Sequence, residues 1–246
     1  MASRRRDGLM RLEVRGLTKT FGTVTAVRDV SFGAPAGQVT GLLGPNGSGK
    51  TTTLRATLGL VRPTAGTVLI GGLPYRNLPR PRRAVGALLE ATGFHPGRRA
   101  RDHLRVLAAA ADVPDRRVDE VLDQAGLGDA AERRVRGFSL GMKQRLGLAA
   151  ALLGDPQVLL LDEPANGLDP AGIAWLRGLL RGLADQGRTV VVASHVLGEV
   201  AQTADRVVIV SAGRLRFEGP LDELGGTGTA LEAAFLRLTG AQGAPA

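Results

Sequence analysis

The stretch Gly44-Pro45-Asn46-Gly47-Ser48-Gly49-Lys50-Thr51-Thr52 restricts this chain more than any other feature in it. It matches the pattern G-x-x-x-x-G-K-[ST] without a mismatch, and the sequence on either side agrees with it. Val39-Thr40-Gly41-Leu42-Leu43 is a short apolar run that reads as a buried strand, and Thr53 to Leu60 places apolar residues at helical spacing. Strand, glycine-rich loop and helix in that order make a phosphate site. The glycines let successive backbone N–H groups turn inward, and the helix N-terminus adds a partial positive charge. In such a site Lys50 reaches the β- and γ-phosphates, and the Thr51 hydroxyl ligates Mg²⁺. Packing alone gives no reason for a lysine and two threonines at these positions.

Two further stretches extend the site. Val158-Leu159-Leu160-Leu161-Asp162-Glu163-Pro164 is a continuous apolar run ending in two acids, as expected of a strand buried on both faces. The carboxyl end of such a strand is where α/β sheets place ligands. Asp162 would hold Mg²⁺, directly or through water, and Glu163 would orient or deprotonate the water attacking the γ-phosphate. Phe138-Ser139-Leu140-Gly141-Met142-Lys143-Gln144-Arg145 opens a helix expected over 142–153, with Ser139 as its N-cap. Capping by itself explains Ser139. A second phosphate site at this helix N-terminus is useful only if it is presented to the nucleotide of another subunit.

At 246 residues the chain can bury a core, as one large domain or one domain with an insertion. It has no cysteine, which excludes disulfides, thiolate catalysis and cysteine metal sites, and three histidines leave little scope for zinc. The formal net charge is +9, carried almost wholly by arginine; Lys19, Lys50 and Lys143 are the only lysines. A chain that uses Arg nearly everywhere and keeps Lys50 points to a chemical need for that ammonium. The positive balance fits either an anionic partner or a solvated arginine-rich surface. Aromatic residues at 3% leave few stacking platforms for single-stranded nucleic acid, so no nucleic-acid partner is expected. No apolar run approaches the ~20 residues that span a bilayer. Met1-Ala2-Ser3-Arg4-Arg5-Arg6 is basic, but no apolar segment of a secretory signal follows it.

Along the chain, residues 9–34 alternate in strand fashion around a turn at Phe21-Gly22-Thr23. Further strands are expected at Thr67–Gly72, Val85–Glu90, Val158–Leu161, Thr189–Ala193 and Arg206–Val210, with an exposed Pro- and Arg-rich loop over 73–83. Residues 100–152 change to helical spacing, with breaks at Pro114 and Gly126-Leu127-Gly128. A helix is expected over 172–186, a hairpin turn at Ser211–Arg214, and a last helix at Leu231–Leu238. No internal repeat is visible.

Taken in order, these motifs resemble the ATP-binding subunit of an ABC transporter, over residues 11 to about 238. The resemblance implies a P-loop NTPase (RecA-like) α/β core with an N-terminal antiparallel β subdomain and an inserted α-helical subdomain carrying the signature motif. One domain would then cover 9–240, with core segments at about 9–90 and 155–222, the helical insertion at about 91–154, and flexible tails at 1–8 and 241–246. It also implies site roles. Phe21 stacks on adenine. Glu90 occupies the Q-loop position. Ser139 and Gly141 bind the nucleotide of the opposite subunit, Asp169 lies in the D-loop at the dimer interface, and His195 of Ser194-His195 contacts the γ-phosphate. Three of these motifs depart from the family pattern. The signature reads Ser-Leu-Gly-Met in place of Ser-Gly-Gly-Gln, Glu90 stands for Gln, and Phe21 for the commoner Tyr. A carboxylate at Glu90 would repel the γ-phosphate unless Mg²⁺ or water lay between them. The run Val85–Pro96, the signature and the ending Leu231–Gly240 are similar to the branch that exports bacitracin, lantibiotics and anthracycline-type drugs.

The expected cofactors are ATP and Mg²⁺. The expected partners are a second copy of the chain, in a head-to-tail dimer with ATP between the subunits, and a separately encoded membrane permease. The expected location is the cytoplasmic face of the membrane, or the cytosol when unassembled. Some of the arginines near Arg76–Arg83 and Arg98–Arg105 would meet anionic headgroups or acidic permease loops. The alternative is a soluble ABC-type ATPase serving nucleic acid or translation. Chromosome-maintenance relatives place a long coiled coil between phosphate loop and signature, and the interval from Lys50 to Ser139 has no room for one. Translation-associated relatives carry two cassettes, and this chain has one. A GTPase would need an Asn-Lys-x-Asp motif, and none of the three lysines lies in one.

Overall fold

Two sheets hold all the named strands in the computed structural model, which describes residues 10–89, 93–226 and 228–240. Glu90 and the expected tails at 1–8 and 241–246 lie outside the described residues. The first sheet is antiparallel. β1 (Leu12–Phe21) pairs with β2 (Val24–Ala34) on one side and with β4 (Ala65–Ile70) on the other. The second sheet, in spatial order, is β5 (Val85–Leu88), β6 (Val158–Asp162), β7 (Thr189–Ser194), β3 (Val39–Leu43), β8 (Arg206–Ser211) and β9 (Arg214–Pro220). Its first five strands run parallel, and only β9 returns antiparallel.

The apolar runs read from sequence are the central strands: every residue of β3, β6 and β7 is buried. Their side chains divide between two faces at the strand period of two. Leu159 and Leu161 pack with Leu104, Val121, Leu146 and Leu176 on one face. Val158 and Leu160 pack on the other with Leu42, Leu54 and the antiparallel sheet residues Leu12, Val14 and Leu17. The central sheet is therefore sandwiched between the small sheet and a layer of helices.

Three helices form the block between the strands: α3 (Ala100–Ala110), α4 (Arg116–Gln124) and α5 (Leu140–Leu152). Arg101 pairs with Asp119 and Glu132, Arg99 pairs with Glu132, and Arg105 pairs with Asp115. Three arginines expected to face an outside partner thus meet carboxylates of their own chain. These pairs are exposed and add little stability. α6 (Pro170–Asp185) follows β6 and packs into the same apolar cluster as α3, α4 and α5, α7 (Leu197–Ala201) follows β7, and α8 (Thr229–Thr239) closes the described chain.

Element boundaries move where backbone chemistry decides them. The helix after the phosphate loop, α1, spans Lys50–Thr57 and not 53–60, because Gly49 at φ 103 starts it and Gly59 at φ 68 stops it. β4 stops at Ile70, since Gly71 and Gly72 turn with φ of 57 and 83. The 73–83 stretch is not all exposed loop. It contains a single 3₁₀ turn at Tyr75–Asn77, the buried Leu78 and a short helix α2 (Pro81–Ala84). Neither β9 nor α7 was read from the sequence.

Candidate functional site

Parallel register assembles the site. β7 lies between β6 and β3, with Leu43 opposite Ser194 and Asp162 opposite Ala193. The loop leaving β3, the acids ending β6 and the histidine after β7 therefore emerge together at one carboxyl edge of the sheet. That edge is where an α/β sheet exposes ligand-binding groups.

Two glycines of the phosphate loop are sterically required. A Cβ on Gly44 would sit 2.1 Å from the Val210 carbonyl oxygen, and one on Gly49 would sit 2.6 Å from that of Ala26. Gly49 also has φ 103, a conformation that side chains resist. Behind them Lys50, 6% exposed, donates from Nζ to the carbonyls of Gly44 at 2.7 Å and Pro45 at 3.2 Å. Burial lowers the Lys50 pKa, and the carboxylates of Glu163 and Asp162 oppose that shift.

Thr51 Oγ1 donates to Asp162 Oδ2 at 2.6 Å, so the hydroxyl and carboxylate expected to share a metal are in contact. Asp162 is buried, and its Oδ1 has no hydrogen-bond partner among the described residues. Burial raises its pKa; the Thr51 hydrogen bond works against this, and Glu163 adds to it. One hydroxyl and one carboxylate with a spare oxygen are hard donors that fit Mg²⁺, the rest of whose shell comes from phosphates and water.

Glu163 is held on its backbone and on both carboxylate oxygens. Its φ is 48, unusual outside glycine, and its N–H donates to the Ala193 carbonyl at 2.8 Å. His195 Nδ1 stands 2.8 Å from Oε1, and Ser194 Oγ donates to Oε2 at 3.3 Å. A carboxylate only accepts, so Nδ1 carries the proton and Nε2 is the ring nitrogen not engaged with Glu163, although His195 itself does not line the adjoining cleft.

The cleft itself is about 720 Å³, lined by Phe21, residues 46–52, Asp162 and Glu163, together with Ala26, Leu89, Leu140, Gln144 and Asn166. Phe21 is 48% exposed at its mouth, with Lys19 Nζ 4.6 Å from the ring centroid. Ser139, Gly141 and Asp169 do not line it. Ser139 Oγ accepts from the Met142 N–H at 3.2 Å, as the N-cap expected, and Asp169 Oδ1 caps α6 by accepting from Gly172 N–H at 2.8 Å. Leu140 and Gln144, between and just after the two signature residues, do line it. The sequence reading gave no site role to Leu140, Gln144 or Ser194, although the first two lie within the quoted signature stretch and Ser194 stands beside His195. Their roles depend on what α5 and β7 pack against, which no local pattern encodes.

The sandwich of sheets, the glycine cradle around Lys50 and the Thr51–Asp162–Glu163 line define a P-loop ATPase cassette. Comparison with known proteins makes this specific. The ABC transporter family profile matches residues 27–166. The chain is 41% identical over 216 residues to a bacitracin transport ATP-binding protein of Bacillus licheniformis, covering 87% of this chain and 71% of that one. It is 36% identical over 211 residues to a lantibiotic transport ATP-binding protein of Streptococcus pyogenes, covering 86% and 91%. Among solved structures, an ATP-binding subunit of an ABC transporter superposes with a TM-score of 0.83 at 29% identity over 92% of this chain and 98% of the other. A dimeric ATP-binding cassette in a post-hydrolysis state, bound to ADP and Pi, superposes with a TM-score of 0.78 at 25% identity, over 85% and 98%. The chain belongs to the ABC transporter family and is an ATP-binding, ATP-hydrolysing subunit of that family.

Proposed function

We propose that this ATPase works as a head-to-tail pair of subunits, with two ATP molecules held at the joint, and powers a separately encoded membrane permease that exports an antimicrobial peptide or drug. The observation that carries the reading is the cleft in which Lys50, Thr51, Asp162 and Glu163 converge, with His195 behind Glu163. The transport names of the bacitracin and lantibiotic relatives support the cargo class. The dimeric state of the ATP-binding cassette of similar fold supports the pairing.

In this reading the loop N–H groups of Gly47 to Thr52 and the Lys50 ammonium hold the phosphates, while Pro45, Asn46 and Gly44 shape the turn. The adenine lies on Phe21. Thr51 and Asp162 hold Mg²⁺, which when bound neutralises charge on the β- and γ-phosphates. Glu163 orients the attacking water and takes its proton, and His195, fixed through Nδ1, offers Nε2 to the γ-phosphate. Ser139 and Gly141 of one subunit close over the nucleotide of the other, and Asp169 stands at their boundary. Loss of the γ-phosphate removes the contacts that keep the pair shut, and the permease reads that opening. Among the described residues no helix is long and apolar enough to cross a membrane, so passage of cargo falls to the partner chain. The working location is then the cytoplasmic face of the membrane.

The test is Glu163→Gln in the presence of Mg²⁺ and ATP. Light scattering should show a stable dimer with ATP bound and hydrolysis abolished; a monomer under those conditions refutes the shared site. Lys50→Ala should lose nucleotide binding, and unchanged affinity would refute the phosphate assignment.

A further inference from the structure

The signature helix is fastened to the hydrolytic glutamate of its own subunit. Gln144 lies in α5, 4% exposed, and its Nε2 donates to the Glu163 backbone carbonyl at 3.1 Å. A carbonyl can only accept, which fixes the orientation of the amide. Glu163 is thus gripped from two sides. β7 holds its N–H through Ala193 and its carboxylate through Ser194 and His195, while α5 holds its carbonyl. The residue between these grips has φ 48, a conformation that persists only where its surroundings enforce it.

The start of α5 is seated on the same loop. A Cβ on Gly167 would lie 2.4 Å from Leu140 Cγ, and one on Gly141 would lie 2.8 Å from the Gly167 carbonyl oxygen. Residues 140–144 and 163–167 therefore move as one packed unit or lose contact. A displacement of α5 toward or away from the sheet must stretch the Gln144 bond, because β7 is a central strand that cannot follow.

We infer that Gln144 is a positioning residue for Glu163, through which engagement of Ser139 and Gly141 by the partner's nucleotide sets the carboxylate in the subunit that owns them. The inference rests on the assignment of Glu163 and on the shared site described above. It adds a route by which filling one site prepares the other: signature residues and water-activating carboxylate belong to different sites but to one rigid contact. The family's usual glycine is replaced here by Leu140, whose side chain fills the space over Gly167 and tightens that contact.

Steady-state ATPase and equilibrium ATP binding on the purified full chain test this with three variants. Gln144→Met keeps length and burial but has no donor. Its kcat should fall about tenfold or more, since small displacements of a reacting group are costly, while ATP affinity stays within about twofold because no phosphate-loop atom is touched. Gln144→Glu provides a donor only when protonated. Its activity relative to wild type should rise as pH falls, whereas the ratio for Gln144→Met stays flat. Glu163→Gln is the control. If it is inactive and Gln144→Met matches wild type within twofold, the inference is overturned and the assignment of Glu163 stands. If Gln144→Met loses kcat, ATP affinity and thermal stability together, Gln144 is only a packing residue and the inference is equally overturned. Should Gln144→Met not fold, the pH dependence of Gln144→Glu decides, and a flat ratio overturns it. Full activity in Glu163→Gln would instead sink the assignment beneath it.

Discussion

Asp162→Asn should make the protein more stable without nucleotide and less able to use it. Asp162 is 7% exposed, its Oδ1 has no partner, and Glu163 follows it in sequence. The Thr51 hydrogen bond at 2.6 Å and the Lys50 charge offset part of this cost, yet burial is the leading influence and the pKa is raised. Asn keeps the acceptor for Thr51, removes the buried charge and puts an amide where the orphan oxygen stood. Removing such a charge is worth about 1 kcal/mol here, the low end of what neutral replacements of buried ions return. For a chain of this size that is about 2–4 °C in Tm. The sign with pH follows from linkage. A raised folded pKa means stability is fully present below the unfolded value and is lost as pH rises through the folded value. The Tm gap between variant and wild type should therefore open as pH rises from about 4 toward 7, and close again on acidification. With Mg²⁺ and ATP the order reverses, because saturating ligand at about 100 times Kd adds about 2.7 kcal/mol to the protein that binds it. Differential scanning calorimetry with and without Mg²⁺-ATP reads both limbs. A variant Tm at or below wild type at pH 7 without nucleotide refutes the reasoning, and so does equal stabilisation of both proteins by Mg²⁺-ATP.

Phe21→Ala should weaken ATP binding about threefold to tenfold, the worth of one aromatic stack at about 0.5–1.5 kcal/mol, while Phe21→Tyr leaves titrations of ATP unchanged. Gly44→Ala should abolish nucleotide binding with the far-ultraviolet spectrum retained, because its Cβ would meet the Val210 carbonyl at 2.1 Å; wild-type affinity would disprove the cradle. His103 is buried against Phe94 with ring centroids 5.0 Å apart, and burial first, then Arg98, lowers its pKa. Its depressed folded value means that this stability is present above the unfolded pKa of about 6.5 and lost as pH falls below it. His103→Leu should flatten that acid limb in urea melts at pH 5.5 and 7.5, and an unchanged slope would count against it.

What could be read in advance depended on whether a residue's reason for being there was local. Lys50, Thr51 and the Asp162–Glu163 pair announce themselves because strand, loop and helix signals surround them. Ser139 was legible as a cap for the same reason, and the structure adds that Asp169 is one too. Boundaries failed where glycines at positive φ intervened, at Gly59 and at Gly71-Gly72. β9 was legible and was not read: Arg214, Arg216 and Glu218 are exposed with the half-buried Leu215 and Phe217 between them, the alternation of an edge strand, and the hairpin turn before it was clear. Gln144 was missed for a different reason. Its amide is defined by a carbonyl nineteen residues on, brought near only when α5 packs beside β6.

The charges gathered at the cleft bear on how tightly the chain can bind a nucleotide. Lys50 is buried against its own loop, Asp162 carries an unsatisfied oxygen, and Glu163 sits in a strained backbone conformation. The buried ammonium and the orphan carboxylate oxygen are costly for the isolated chain and are relieved by a ligand that brings phosphates and a divalent cation together, while the Glu163 backbone is held by its own hydrogen bonds. The free energy of nucleotide binding is thus partly the removal of costs already present in the fold. Asp162 closes β6, Glu163 follows it directly, and Lys50 stands behind the loop that leaves β3, so these groups are anchored to strands buried along their whole length. The groups able to respond are α5 and the loop over 163–168, which touch the cleft through Leu140, Gln144 and Asn166. The nucleotide cleft is thus bounded by a sheet buried along its length on one side and by the start of the signature helix on the other, so a ligand that fills it touches both.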